Sequence, residues 1–429
     1  MTFLILGVVV FALLLVFGAP IFMAMVCGGA VMLLLGLGMP PEMVAQKLVT
    51  NIDVFTFMAI APFILAGNLM THGGASRALV DMMESFVGRL PGGLGMVAVL
   101  SCALFAAMCG STIATSAAVG AMLLAPMVEK GYPKGFICAL IATAGTIGIM
   151  IPPSINMVIY GGIAEESVPA LFMAGFIPGI MLTAMLAGMT VFLSRGKGYV
   201  SGRSFTWRDR GQAVLRSLPA IGMIAVIMVP IYTGLATPTE AAALSVVYGF
   251  LIGRFYYRGL TWQGTREAII DATRTTAMLL VIIASGLLFG AGLVAYGAAE
   301  VISNFAVQAG LNWWQFLLMI NVIWLLLGFV MESTSVMVIM VPLILKAFAP
   351  LGISRVHFGI LGVLNTELAL ITPPVGINLY VMSAVGKVPV DTVIRNIWPF
   401  VAVLFVGLLI ITYFPNLSLF LPTAMGLIK

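Results

Sequence analysis

The length of the charge-free runs limits the fold of this chain more than any other feature. Only 8% of the 429 residues are charged and 62% are hydrophobic, whereas a soluble domain carries roughly 25% charged residues. Each run is longer than the roughly 20 residues that a helix needs to cross hydrocarbon. The runs cover residues 1 to 41, 90 to 128, 135 to 164, 167 to 194, 217 to 239, 275 to 299, 301 to 331 and 396 to 428. The sequence therefore predicts an all-α polytopic membrane protein in a lipid bilayer.

Other classes of protein lack their sequence signatures here. The alternating pattern of membrane β-strands is absent, and the first run has no basic start or cleavage site, so we expect it to be retained. The four cysteines have no metal-binding spacing, and basic residues do not alternate with aromatic ones. No GxxxxGK[ST] motif for ATP hydrolysis occurs. We therefore expect no cofactor, no nucleic acid partner and no enzyme activity.

The chain repeats itself at a nearly constant offset. Ser111-Thr112 recurs as Ser333-Thr334 (333 − 111 = 222), and Pro152-Pro153 recurs as Pro373-Pro374 (373 − 152 = 221). Three single residues match in a similar register: Asn156 with Asn378, Phe136 with Phe358, and Gly74 with Gly297. Matches that share one register predict an internal duplication.

The two predicted copies are expected to have opposite orientations. The first copy, residues 1–200, contains five predicted crossings, so the second copy, residues 205–429, must enter the membrane from the other side. Such inverted-topology repeats are typical of secondary transporters. Most basic residues fall on one predicted face, with a cluster between Arg195 and Arg216. The positive-inside rule makes this face cytoplasmic and places both termini outside the cytoplasm.

A polar stretch interrupts one long apolar segment in each copy. "GSTIATS" interrupts residues 92–127, and "MESTS" interrupts residues 314–347. Legs of about 17 residues are barely long enough for a tilted span. We therefore expect two re-entrant hairpins with these stretches at their tips, and two full spans in each segment are the alternative.

A pair of prolines is expected to break one helix in each copy, at residues 152–153 and 373–374. Proline frees carbonyl oxygens in the preceding turn, such as that of Gly148. With side-chain oxygens from Asn156 and Asn378, these carbonyls are hard ligands that suit a small cation such as sodium. The half-helices after the breaks direct positive dipole ends towards a carboxylate. The alternatives are a simple kink for the prolines and helix-to-helix hydrogen bonds for the neighbouring hydroxyls.

Three glutamates in apolar surroundings have different interpretations. Glu332 and Glu367 lie deep in apolar segments, and an acid within a membrane predicts a functional role. Their first-copy counterparts are Gly110 and roughly Thr146, so any acid role is confined to one copy. In "TPTE", by contrast, Glu240 follows an N-cap threonine at the spacing of a capping box, which predicts a structural role.

Several long segments resemble one known family along nearly the whole chain. They are "FILAGNLMTHGGASRAL", "ALFAAMCGSTIAT", "GIMIPPSINMVIY", "IYTGLATPTEAAALSVVYGF", "GLNWWQFLLMIN" and "TPPVGINLYV". The resemblance is to the large membrane subunit of tripartite ATP-independent periplasmic (TRAP) transporters. It implies an elevator-type, sodium-driven importer of an organic acid in a bacterial inner membrane, with the predicted outer face in the periplasm. It also implies two partners, a small four-helix membrane subunit and a periplasmic substrate-binding protein.

The residue patterns and the resemblance together give two overlapping sets of candidate residues at the tips and breaks. Sodium, the expected coupling ion, is assigned to Gly110, Ser111, Thr112, Gly148, Pro152, Asn156, Ser333, Thr334, Thr366, Thr372 and Asn378. The organic acid is assigned to Ser111, Thr112, Ser116, Ser154, Glu332, Thr334 and Gly376, between the two tips.

Two other functions stay open beside a secondary carrier. A passive channel would need a continuous ring of like groups, and an intramembrane hydrolase would need a nucleophile beside a base. Neither arrangement is indicated, although an ion-coupled carrier that works without a binding protein is a further alternative. The sequence leaves the transported acid open between C4-dicarboxylates and sialic acids, because the binding protein is expected to do much of the selection.

Overall fold

Helices account for every regular element that the structure describes. The structure is a computed structural model that describes residues 2–197, 199, 205–373 and 375–428, so Pro374 of the predicted second break lies outside the described residues. Seven described helices are long and apolar enough to cross a membrane: Phe55–Gly73, Thr112–Glu129, Val168–Ser194, Trp207–Tyr232, Trp262–Ala295, Ser333–Leu351 and Val390–Tyr413. The all-α polytopic fold is confirmed.

The first half begins with two helices separated at Gly18-Ala19-Pro20 and ends with a long helix before the polar junction. Its helices are α1 Thr2–Val16, α2 Ile21–Ala30, α3 Pro41–Thr50, α4 Ile60–Gly73, α5 Ala75–Val87, α6 Gly93–Cys109, α7 Thr112–Glu129, α8 Lys134–Gly148, α9 Ile155–Ala164 and α10 Val168–Ser194. A π-helical turn, Val31–Gly36, continues α2, and a 3-10 turn, Phe55–Ala59, precedes α4.

The second half contains a similar series. Its helices are α11 Trp207–Tyr232, α12 Pro238–Leu251, α13 Trp262–Ala295, α14 Ala298–Gln308, α15 Trp313–Gly328, α16 Ser333–Leu351, α17 Arg355–Ile371, α18 Ile377–Gly386, α19 Val390–Tyr413 and α20 Asn416–Ala424. The predicted capping box is confirmed at the start of α12, where Glu240 accepts a hydrogen bond from the Thr237 backbone N–H at 2.8 Å.

The order of helices from α5 to α10 recurs from α14 to α19. Both α5 and α14 follow a glycine in the left-handed region, Gly74 with φ 92° and Gly297 with φ 80°. The halves differ just before this point, because α3 and α4 are separate helices whereas α13 is a single helix of 34 residues. The opposite orientation of the two halves in a membrane stays a prediction.

Each half contains two helices joined at a tip and a further helix that follows a break. The helix after each break packs against the other half. Helix α6 meets α7 at Gly110, which has φ 60°, and α15 meets α16 through residues 329–332. Helix α9, which follows the first proline pair, packs against α16 of the second half. In return, α18 packs against α7 and α8 of the first half. The interruptions in the two halves are therefore brought together at one place in the molecule.

A close approach between helices supports this region from the outside. A Cβ atom added at Gly67 on α4 would lie 2.6 Å from the Cα atom of Cys109, at the end of α6. We therefore expect Gly67→Ala to lower the free energy of unfolding by about 1 to 3 kcal/mol, because backbone must shift to admit the methyl group. Thermal unfolding of the purified protein in detergent measures this loss.

The matched control is Gly188→Ala on α10, where an added Cβ would meet nothing within 4 Å. Alanine favours a helix over glycine, so this control is expected to keep or raise the unfolding temperature. Equal effects of the two substitutions would contradict the packing of α4 against α6.

Candidate functional site

Two serines at the predicted site begin helices. The Ser111 hydroxyl accepts a hydrogen bond from the Ala114 backbone N–H at 3.4 Å, at the start of α7. The Ser154 hydroxyl accepts one from the Met157 backbone N–H at 3.5 Å, at the start of α9. Both contacts are long, and a hydroxyl oxygen has a second lone pair. The two serines are thus N-caps whose oxygens keep some capacity to accept.

Glu367 joins the first tip to the first break, although neither predicted set of site residues includes it. Its Oε2 atom accepts a hydrogen bond from the Thr112 hydroxyl at 2.7 Å, and its Oε1 atom accepts one from Asn156 Nδ2 at 3.0 Å. The side chain is completely buried. Three interruptions therefore meet at one carboxylate, which α17 of the second half places one turn before its own end.

Asn378 makes a second connection between the halves. Its Nδ2 atom donates to Ser116 Oγ at 3.0 Å and to the Ala142 carbonyl oxygen at 2.7 Å. Two acceptors on one side fix the orientation of the amide, so the Oδ1 atom lies on the other side. That oxygen is buried and has no hydrogen-bond partner among the described residues.

Ser333 and Asn378, both assigned to sodium from the sequence, have different partners. The Ser333 hydroxyl donates to the carbonyl oxygen of Thr366 at 3.1 Å, whereas Asn378 bonds to the first half. The Thr366 and Thr372 hydroxyls each donate to a carbonyl of their own helix, at 2.6 Å. Hydroxyls used as donors keep their lone pairs, so these contacts leave oxygen atoms that can still accept or coordinate.

Glu332 caps the start of α16 at the second tip. Its carboxylate accepts hydrogen bonds from the backbone N–H groups of Thr334 and Ser335, at 3.0 and 3.2 Å, and from the Thr334 hydroxyl at 3.0 Å. A carboxylate at the start of α16 is stabilised by the helix dipole. Glu332 and Thr334, both assigned to the substrate from the sequence, therefore bond to each other.

A small cavity separates this tip from the second break. It has a volume of about 50 Å³ and is lined by Glu332 and Ser333 on one side and by Leu370 and Gly376 on the other. A cavity needs roughly 10 to 15 Å³ to hold one water molecule. This space therefore has room for a small ion with part of its hydration shell.

The first break is more closed than the sequence indicates. The Gly148 carbonyl, expected to be freed by the prolines, accepts a hydrogen bond from the Ile151 backbone N–H at 3.1 Å. The chain turns after α8, so a backbone donor downstream of that helix reaches the carbonyl. Pro152 is buried beside this turn. Gly148 keeps one lone pair, as does any carbonyl with a single partner.

An all-helical membrane fold with interrupted helices, whose buried polar groups meet at one place, is typical of membrane transporters. The family described as "Tripartite ATP-independent periplasmic transporter, DctM component" matches residues 8–417. The chain belongs to this family, the large membrane subunits of TRAP transporters. It is therefore a multi-pass membrane transport protein, and such permeases are not enzymes.

Individual relatives agree with this assignment. The chain is 40% identical over 402 residues to a C4-dicarboxylate TRAP transporter large permease protein of Rhodobacter capsulatus, covering 90% of this chain and 91% of the relative. It is 32% identical over 378 residues to a sialic acid TRAP transporter large permease protein of Vibrio cholerae, covering 88% of each.

A solved structure shares the fold. The YdaH transporter of Alcanivorax borkumensis superposes with a TM-score of 0.63 at 16% identity, covering 87% of this chain and 88% of that one. At this identity the likeness concerns the fold alone.

The contact between Asn378 and Ser116 predicts an energetic coupling between the halves. Asn378→Ala leaves the Ser116 hydroxyl and the Ala142 carbonyl short of a partner, which typically costs about 1 to 3 kcal/mol. We expect the losses in free energy of unfolding caused by Asn378→Ala and Ser116→Ala to differ from additivity by at least about 0.5 kcal/mol. A double-mutant cycle on thermal unfolding measures this coupling, and simple additivity would show that the contact contributes nothing to stability.

Proposed function

We propose that this chain is a sodium-coupled secondary importer of an organic acid of the C4-dicarboxylate or sialic acid type. The observation that carries the proposal is the meeting of the tips and breaks around buried oxygen atoms. These atoms belong to hydroxyls, amides, carbonyls and two carboxylates, which are hard ligands for a small cation. The names of the relatives support the substrate class.

The proposed substrate position lies between the two tips, beside the starts of α9 and α18. The backbone N–H groups at the start of a helix and its dipole favour an anion. Gly376, at the start of α18, is buried with φ 43°, a conformation that glycine adopts readily. In this proposal Ser154 and Gly376 approach the carboxylate of the substrate.

The sodium ions are proposed to occupy one site in each half. In the second half, Ser333 and the cavity beside Glu332 provide oxygen atoms and space. In the first half, the proposed ligands lie between Ser111 at the tip and Asn156 after the break. Binding at both sites supports a stoichiometry of at least two sodium ions per substrate.

The transport cycle is proposed to need two further proteins. A periplasmic binding protein delivers the acid, and a small four-helix membrane subunit associates with this chain in the bacterial inner membrane. The helices that carry the tips and breaks move together as the mobile part of an elevator. The two halves are inverted relative to each other, with both termini in the periplasm.

A passive channel is the competing function. It would conduct without a sodium gradient and without a binding protein. Single sites enclosed by packed helices favour a carrier, because a channel needs a continuous path with several weak sites.

Sodium dependence provides the main test. We expect Ser333→Ala or Ser111→Ala to raise the sodium concentration for half-maximal uptake by about 10- to 100-fold, because a charge-assisted contact typically contributes about 1.5 to 3 kcal/mol. Substrate uptake is measured against sodium concentration in proteoliposomes that contain both membrane subunits, with the binding protein supplied outside.

Thr190→Ala is the matched control, since its buried hydroxyl donates only to Leu186 of its own helix α10, at 2.8 Å. Its sodium dependence is expected to stay close to that of the unmodified protein. Uptake that ignores the sodium gradient in the unmodified protein would overturn the proposed coupling.

Dependence on the binding protein gives a separate prediction. In the same proteoliposomes we expect little uptake of free acid until the binding protein is added, because delivery is its proposed role. Strong sodium-driven uptake of free acid alone would place this chain with carriers that need no binding protein.

A further inference from the structure

The central segments that contain the tips and breaks include acids but no lysine or arginine. Residues 93–128, 135–164, 313–345 and 356–386 include Glu332 and Glu367 and lack lysine and arginine altogether. Glu332 caps the second tip and Glu367 bonds to the first tip, so both carboxylates lie where the interruptions meet. The centre of the molecule is therefore acidic, although its proposed substrate is an acid.

The two hydrogen bonds of Glu367 do not require its side chain to be charged. Its two partners, the Thr112 hydroxyl and the Asn156 amide, are neutral. A glutamine could accept from Asn156 and donate to Thr112 in the same space. It would also avoid the several kcal/mol that an unpaired buried charge costs. The carboxylate is consequently explained better by a cation that binds to it than by the two hydrogen bonds.

Several oxygen atoms around Glu367 can contribute to such a site. The carboxylate has about four positions for partners and uses two, and the Thr112 oxygen keeps its lone pairs while it donates. Ser116 lies four residues after Thr112 and therefore on the same face of α7. Asn378, which bonds to Ser116, has a completely buried Oδ1 atom without a partner among the described residues. Glu367 and Asn378 therefore contact the same face of α7, and Asn378 has an unused buried oxygen.

We infer that Glu367, Thr112 and Asn156 form a cation site between the two halves, which binds one of the coupling sodium ions. The inference rests on the proposed sodium coupling and adds to it a charged ligand that belongs to neither predicted set. The bound ion neutralises Glu367 and offsets its repulsion of an acidic substrate. Binding of the acid then requires the ion, which is a physical basis for coupled transport.

The test compares Glu367→Gln with the unmodified protein in purified complexes of this chain with its small membrane subunit. Thermal unfolding is recorded against sodium chloride, with choline chloride holding the ionic strength constant and potassium chloride as a second series. A ligand that binds only the folded state raises the unfolding temperature with its concentration. Uptake is not needed for this readout.

Two opposite effects are expected from Glu367→Gln. Without sodium the variant unfolds at the same or a higher temperature than the unmodified protein, because the unpaired charge is gone. With sodium its half-maximal stabilisation requires at least tenfold more of the ion. A residue that serves only as a hydrogen-bond partner would produce neither effect.

Ser333→Ala removes a proposed ligand of the second-half site, so that sodium binding at Glu367 can be measured separately. In that background, the remaining stabilisation by sodium is expected to depend on Glu367 and to disappear in the double variant. Glu300→Gln is the matched control, since Glu300 is exposed and pairs with Lys346. Its response to sodium should not change.

The outcomes distinguish the inference from the proposed function. If the unmodified protein gains no stability specifically from sodium, the proposed sodium coupling fails. If it does gain stability and Glu367→Gln responds with the same midpoint, the site at Glu367 fails and the coupling stands. Should Glu367→Gln not fold, Thr112→Val removes one oxygen and keeps the carboxylate, and an unchanged sodium midpoint in that variant would equally overturn the inference.

Discussion

Hydrocarbon offers no hydrogen-bond partners, and the rest of this structure depends on that constraint. A helix interrupted within a membrane must satisfy its exposed backbone groups inside the protein. Here the N-terminal ends of α7, α9 and α16 are capped by the side chains of Ser111, Ser154 and Glu332. The tips and breaks also pack against one another across the halves. Irregular backbone is tolerated here because it is buried within the protein. The same burial brings polar atoms together where a ligand can bind.

The connections between the halves cross over. Asn156 of the first break bonds to Glu367 of the second half, and Asn378 of the second break bonds to Ser116 of the first. A rearrangement at either break therefore disturbs groups that belong to the other half. In the proposed cycle, this arrangement favours joint movement of both hairpins and both broken helices, because separating them would leave buried polar groups without partners.

The sequence predicts local features well and contacts between the halves poorly. The all-α fold follows from apolar runs, and the capping box of Thr237 and Glu240 follows from residues three positions apart, so both could be predicted. The contacts of Glu367 span 255 and 211 residues, and that of Asn378 with Ser116 spans 262. The repeat gives no sign that Asn378 bonds to Ser116 of the other copy. Glu367 was recognisable only as an isolated acid in an apolar segment.

Close packing occupies the first-half position that corresponds to the carboxylate. The counterpart of Glu367 is roughly Thr146, and the residue beside it is Gly145. A Cβ atom there would collide with the Ser116 hydroxyl and lie 3.1 Å from the carbonyl oxygen of Thr112. The absence of a side chain lets Ser116 approach α8, where its hydroxyl accepts from Asn378 and donates to the Ile141 carbonyl at 3.3 Å. One half therefore contributes the charge and the other the close packing, so the two proposed ion sites cannot be chemically equivalent despite the repeat.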